Sequence, residues 1–254
     1  MNFGKYIAHR GLHNIDKGIP ENSLSAFKNA CKKGLAIELD VRLTKDGKVV
    51  VFHDKSLKRM CGVDSEISEL TYEQLAAFKL KDTDEKIPLL SQVLKLVKGR
   101  VPLLIEIKGG QGLFDLEKRT YHLLKKYDGD YAVQSFSFLS MLWFRIFASN
   151  IARGQLISTY RGKLKGKDWI KYAGRLIGAS PVVWRLVSKP EFIACDLKSV
   201  SLEKAFQALD CNADFITWTA NSDELMNTAK QFSKSVIFEE LSDDFDFSDN
   251  WSEN

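Results

Sequence analysis

Short runs of apolar and β-branched residues alternate along this chain with longer stretches whose apolar residues recur every three or four positions. That alternation constrains the fold more than any other feature, because it is the signature of βα units around a parallel sheet. The strand-like runs fall at 6–8, 36–41, 49–52, 102–107, 131–134, 154–157, 192–195, 214–217 and 236–238, and helical periodicity covers 23–33, 71–78, 91–98, 112–126 and 201–209. At 254 residues the chain has the length at which one (β/α)8 TIM barrel closes as a single domain over 1–254. Nine strand candidates are one too many for eight. The irregularity is expected between the second and third, where Thr44-Lys45-Asp46-Gly47-Lys48 reads as a tight turn rather than a helix.

Two stretches break the rhythm. Residues 55–88 follow the third strand as a cap-like insertion, and 162–190, before the seventh strand, mix lysines and arginines with Trp169, Tyr172 and Trp184. The second reads either as a loop insertion packed on the barrel or as amphipathic segments touching anionic lipid, a peripheral membrane contact; the packed loop is preferred. The net charge of +4 is too small to mark a nucleic-acid binder, and the acidic tail 242–254 reads as a solvated end. Cys31, Cys61, Cys195 and Cys211 lie far apart without a CxxC, which suits a reducing compartment. The start of the chain leaves no room for a signal peptide and no run reaches eighteen apolar residues, so a cytoplasmic protein without an obligate protein partner is expected.

Chemistry concentrates where these strands end. His9-Arg10 closes the first, Glu38 and Asp40 lie in the second, His53-Asp54 closes the third, and Glu106 and Lys108 close the fourth. Residues two apart on a strand share a face, so Glu38 pairs with Asp40 and Glu106 with Lys108. Three carboxylates crowded together raise one another's pKa unless a cation neutralises them, and oxygen ligands favour Mg²⁺ or Ca²⁺. Arg10 and Lys108 suit a phosphate oxyanion. His9 and His53 have the pKa range needed to take one proton and give another.

In this order His9-Arg10-Gly11, Pro20-Glu21-Asn22-Ser23, Glu38-Leu39-Asp40, Thr44-Lys45-Asp46-Gly47, His53-Asp54 and Glu106-Ile107-Lys108 resemble the motif series of the glycerophosphodiester phosphodiesterases. Ile87-Pro88-Leu89-Leu90, Gln134-Ser135-Phe136 and Trp218-Thr219-Ala220-Asn221 extend the likeness over most of the chain, with 162–190 the weakest part. The resemblance implies a (β/α)8 fold and divalent-metal-dependent hydrolysis of glycerophosphodiesters to sn-glycerol 3-phosphate and an alcohol. It implies His9 and His53 as catalytic residues, and Glu38, Asp40 and Glu106 as metal ligands. Arg10 and Lys108 would contact phosphate, with Trp218 bordering the substrate. One departure is visible: Ser235-Val236-Ile237-Phe238-Glu239-Glu240 stands where many relatives carry a Gly-rich segment and a Thr-Asp pair.

Each residue also has a plainer reading. His13 and His122 lack supporting neighbours, Asp54 suits an orienting role better than a ligand's, and Glu21-Asn22 serves equally as a helix-start signal. Trp218 is large enough to be core. A lysophospholipase D-like activity on membrane lipids and a barrel that only binds phosphoesters are the alternatives to soluble-substrate hydrolysis.

Overall fold

The computed structural model describes residues 2–109, 112–158, 179–199, 210–242 and 244–248. All nine predicted strands form: β1 (Tyr6–Ala8), β2 (Ala36–Leu43), β3 (Val49–Val51), β4 (Leu103–Ile107), β5 (Tyr131–Ser135), β6 (Ala152–Ile157), β7 (Phe192–Asp196), β8 (Asp214–Ala220) and β9 (Ser235–Phe238). The fold is a (β/α)8 barrel with β3 outside the eight parallel strands. The helices are α1 (Leu24–Lys33), α2 (Lys58–Cys61), α3 (Tyr72–Leu75), α4 (Leu90–Val97), α5 (Asp115–Leu124), α6 (Phe138–Phe147), α7 (Pro181–Val183) and α8 (Asp223–Lys230). The predicted helix 201–209 and residues 162–178 of the second insertion lie outside the described residues.

Contacts group the chain into two compact units, Ala8–Tyr131 and Phe3–Ile7 with the described residues from Ala132 onward. In the first, β2 pairs in parallel with β4 and antiparallel with β3. The superfluous strand is therefore β3, the returning arm of a hairpin. His53 follows this arm and does not end a barrel strand, which corrects the expectation of four consecutive barrel strands. The hairpin turn is fixed by Thr44, whose hydroxyl donates to Asp46 Oδ1 at 2.6 Å and accepts from the Lys48 amide at 2.8 Å, and by Gly47 at φ 74°.

Segment 55–88 packs on the hairpin through a small apolar core. Leu57, Met60, Ile67, Leu75, Leu80 and Ile87 are buried against Val50 and Phe52 of the hairpin arm and its continuation. Thr71 starts α3 with a capping box closed by Gln74. In α1, Ser23 is the N-cap, accepting from the Ala26 amide at 3.1 Å, and Gly34 at φ 68° ends the helix.

In the second unit β5, β6, β7, β8 and β9 pair in parallel in sequence order. Helix α6, FLSMLWFRIF, escaped the sequence reading because apolar residues surround it and no amphipathic stripe marks it. Helix α8 begins with Ser222 as N-cap, accepting from the Leu225 amide at 3.3 Å. Within the described end of the second insertion Trp184 is buried against Ile157, Ile193, Cys195, Ala213 and Phe215. The described part of the acidic tail is docked: the Phe245 and Phe247 rings meet Tyr6 edge-on at 5.6 Å and 5.4 Å. The expected solvated end is thus held by apolar contact at alternate residues, with Asp244, Asp246 and Ser248 outward. No helix among the described residues is long and apolar enough to cross a membrane, and none of the four cysteines is joined in a disulfide.

Candidate active site

The first unit assembles the predicted acidic residues. Parallel register places Asp40 opposite Glu106 and Glu38 opposite Leu104, so residues 66 positions apart in sequence become neighbours. Glu38, Asp40 and Glu106 are all buried, and one carboxylate oxygen from each lies within 4.8 Å of the others. Lys108 completes the cluster, with Nζ 2.7 Å from Glu106 Oε1 and 2.9 Å from Asp40 Oδ1.

The turn after β1 shapes the next part. Arg10 adopts φ 53° and Gly11 φ 82°, a bend that turns the Arg10 amide to donate to Glu38 Oε2 at 3.1 Å. A methyl group at Gly11 would lie 2.9 Å from Ala26 Cβ, so glycine is needed where this turn meets α1. The Arg10 side chain reaches Glu21 Oε1 through Nη1 at 2.9 Å, and its Nε is 3.5 Å from Asp40 Oδ2. His9 stands close enough for its charge to act on all three carboxylates.

Asn22, with φ 55°, donates from Nδ2 to Asp40 Oδ2 at 2.9 Å. It neither caps α1 nor starts it; it braces a buried carboxylate. His53 Nδ1 is 2.6 Å from Asp54 Oδ1, the orienting contact expected of Asp54. Arg42 donates to the His53 carbonyl from Nε at 2.9 Å and Nη2 at 2.6 Å. Arg42 and Arg59 escaped the sequence reading, because their importance depends on long-range partners that no local pattern announces.

The charges divide unequally. Burial first, then the Asp40 charge, pushes the Glu38 carboxyl up to about 8, and burial raises Glu106 also. Asp40 is held well below the usual carboxylate range: burial opposes this, but Lys108, His53, Arg10 and His9 together prevail. Burial brings His53 down to about 4, against the pull of Asp40. Asp40 Oδ1 is buried and faces Lys108 without hydrogen-bond alignment. An acceptor left in that state, among three convergent carboxylates, fits a hard cation bound by oxygen.

Trp218, on β8, belongs to the second unit. Its Nε1 donates to the Ala194 carbonyl at 3.1 Å and its ring meets Phe136 edge-on at 5.8 Å.

A (β/α)8 barrel with a buried carboxylate trio beside lysine and arginine defines a class of protein able to hold a cation together with an anionic ligand. The chain belongs to the glycerophosphoryl diester phosphodiesterase family, whose model matches residues 9–239. It is 37% identical over 131 residues to the glycerophosphodiester phosphodiesterase of Caldanaerobacter subterraneus subsp. tengcongensis, covering 48% of this chain and 53% of that one. To human lysophospholipase D GDPD1 it is 34% identical over 140 residues, 50% of this chain and 43% of that one. The chain spans about half the length of these curated relatives. Among solved structures, an Oleispira antarctica phosphodiesterase in complex with the product sn-glycerol-3-phosphate matches with TM-score 0.75 and 21% identity, covering 93% of each chain. A glycerophosphodiester phosphodiesterase from Thermotoga maritima matches with TM-score 0.67 and 24% identity over 94% of this chain and 95% of that one. Both likenesses carry the fold.

Proposed function

We propose that the chain hydrolyses glycerophosphodiesters to sn-glycerol 3-phosphate and an alcohol, using a divalent cation and two histidines. The observation that carries this is the convergence of Glu38, Asp40 and Glu106 beside Lys108 and Arg10. The three carboxylates would hold Mg²⁺ or Ca²⁺, which when bound supplies positive charge to a phosphate oxygen and keeps the ligands ionised. Arg10 and Lys108 orient the phosphate and stabilise charge that builds on it. His53, neutral through burial and with Nδ1 turned to Asp54, takes the proton from the attacking hydroxyl at Nε2. His9 gives a proton to the leaving alkoxide. Where the attacking group is the substrate's own glycerol hydroxyl, the cyclic phosphate formed is opened by water with the two proton roles reversed, which releases sn-glycerol 3-phosphate. The role of Trp218 as the aromatic residue that borders the substrate rests on the resemblance of its motif to the family's.

Release of glycerol 3-phosphate from sn-glycero-3-phosphocholine, with and without EDTA and in His9→Ala and His53→Ala, tests this. Chelation should abolish turnover, and each histidine should cost on the order of 10² to 10⁴ in rate. Turnover indifferent to EDTA removes the cation, and unchanged variants remove the histidines. A lysophospholipase D-like activity is the second reading, favoured by the human relative's name and by exposed Val182 and Leu186 within the basic insertion 162–190. Deleting 162–178 should then reduce hydrolysis of lysophospholipid vesicles while soluble turnover persists.

A further inference from the structure

Segment 55–88 reaches the site through one side chain. Arg59 sits on α2 between Leu57 and Met60, both anchored in the small core over the hairpin. Its Nε donates to Asp54 Oδ2 at 2.6 Å, while Nη1 and Nη2 grip the two oxygens of Glu21, each at 2.7 Å. Each of these carboxylates goes on to one further group. Asp54 Oδ1 meets His53 Nδ1 at 2.6 Å, and Glu21 Oε1 accepts from Arg10 Nη1 at 2.9 Å. A single guanidinium therefore stands between the imidazole and the arginine of the site.

An isolated ion pair with this exposure contributes little, because water competes for both partners. Arg59 differs in geometry: a two-pronged grip on one carboxylate and a third bond to another fix its plane, and the apolar residues beside it fix its backbone. With Arg59 and His53 both bonded to it, Asp54 stays an ionised acceptor although burial opposes this. An ionised Asp54 keeps the proton of a neutral His53 on Nδ1 and leaves Nε2 as the acceptor.

We propose that Arg59 is a positioning residue for the hydrolytic site. Acting through Asp54 it fixes the tautomer and plane of His53, and acting through Glu21 it holds Arg10 beside the carboxylates. This rests on the roles given to His53 and Arg10 above. The competing view, that Arg59 only fastens 55–88 to the rest of the unit, requires lost stability with turnover unchanged below the melting transition.

Steady-state hydrolysis of sn-glycero-3-phosphocholine with saturating Mg²⁺ is measured for wild type, Arg59→Ala, Asp54→Asn and the double variant, below the melting transition of each. Each single change should lower kcat by about 10-fold or more, in the range seen when a histidine loses its orienting partner. In the Arg59→Ala background Asp54→Asn should cost no more than about 2-fold further, since residues acting in series are not additive. Methylguanidine should restore part of the Arg59→Ala rate, and Arg59→Lys, which lacks the fork, should stay impaired. Fully additive costs, or an unchanged kcat in Arg59→Ala, overturn the proposal. Nitrogen-15 NMR of the His53 ring gives a readout independent of turnover: a single Nδ1–H tautomer in wild type and a mixture in Arg59→Ala. An unchanged tautomer in the variant overturns the His53 branch even if the wild type proves inactive, whereas inactivity alone counts against the hydrolytic reading.

Discussion

Asp40 sets the electrostatics of the carboxylate cluster, because Asn22, Lys108 and Arg10 all face it and the two glutamates must accommodate its charge. Glu38 bears the consequence. Its carboxyl titrates near 8 in the folded chain against an ordinary value of 4.5, so the metal-free fold keeps a proton that the unfolded chain has released. Between about pH 4.5 and 6.5 the resulting loss of stability is offset by His53, whose pKa burial lowers and whose slope is the opposite. Stability of the metal-free protein should therefore fall as pH climbs from about 6.5 to about 8. Asp40 works the other way, but its depressed pKa adds stability that is complete above its ordinary 3.8, so it leaves this window flat. A bound cation displaces the Glu38 proton and stabilises only the fold. The rise in Tm on adding Ca²⁺ or Mg²⁺ should thus be larger at pH 8 than at pH 5.5, and Glu38→Gln should reduce that pH dependence. A rise independent of pH in scanning calorimetry would contradict this placement of the charges.

Among the elements, the hairpin of β2 and β3 and the turn after β1 decide where side chains point. Because β3 runs back along β2, it returns the chain to Asp40, whose carbonyl accepts from the Phe52 amide at 2.9 Å, and His53 comes next. The turn after β1 depends on close approach to α1, where the Gly11 amide donates to Ala8 and the Leu12 amide to Ala26. Gly11→Ala combines a strained φ with a methyl forced against Ala26 and Phe27, and should destabilise by about 1–3 kcal/mol in urea unfolding. Metal affinity should weaken with it, since the Arg10 amide that holds Glu38 moves too. An alanine variant with wild-type midpoint and affinity would show that the turn relaxes freely.

For the molecule as a whole, the described part of the tail after β9 packs on the rest of its unit. Tyr6 on β1 is met by the rings of Phe238, Phe245 and Phe247, so β1, β9 and the described part of the tail share one aromatic cluster. Edge-on pairs of this kind add stability beyond simple burial. Phe247→Ala should lower stability by about 1–3 kcal/mol and speed proteolysis of the tail, with the cation-induced Tm shift preserved. Unaltered proteolysis would mean that the rings add nothing to the anchoring.

Residue types at fixed short spacing were readable from the sequence: strand runs, the helical stretches opening at 23 and 71, the turn 44–48, and the paired side chains of Glu38 with Asp40 and Glu106 with Lys108. Each follows from backbone periodicity, which acts over a few residues. The alternation of these elements indicated βα units around a parallel sheet, but with nine strand candidates it did not say which one stands outside the barrel. Tertiary structure alone decided that β3 turns back, that Asp40 lies opposite Glu106, that Asn22 braces a carboxylate, and that Arg59 links Glu21 to Asp54. Those facts depend on register and on contacts between distant segments, whose energies come from burial and charge in three dimensions. Local sequence preference carries no record of them.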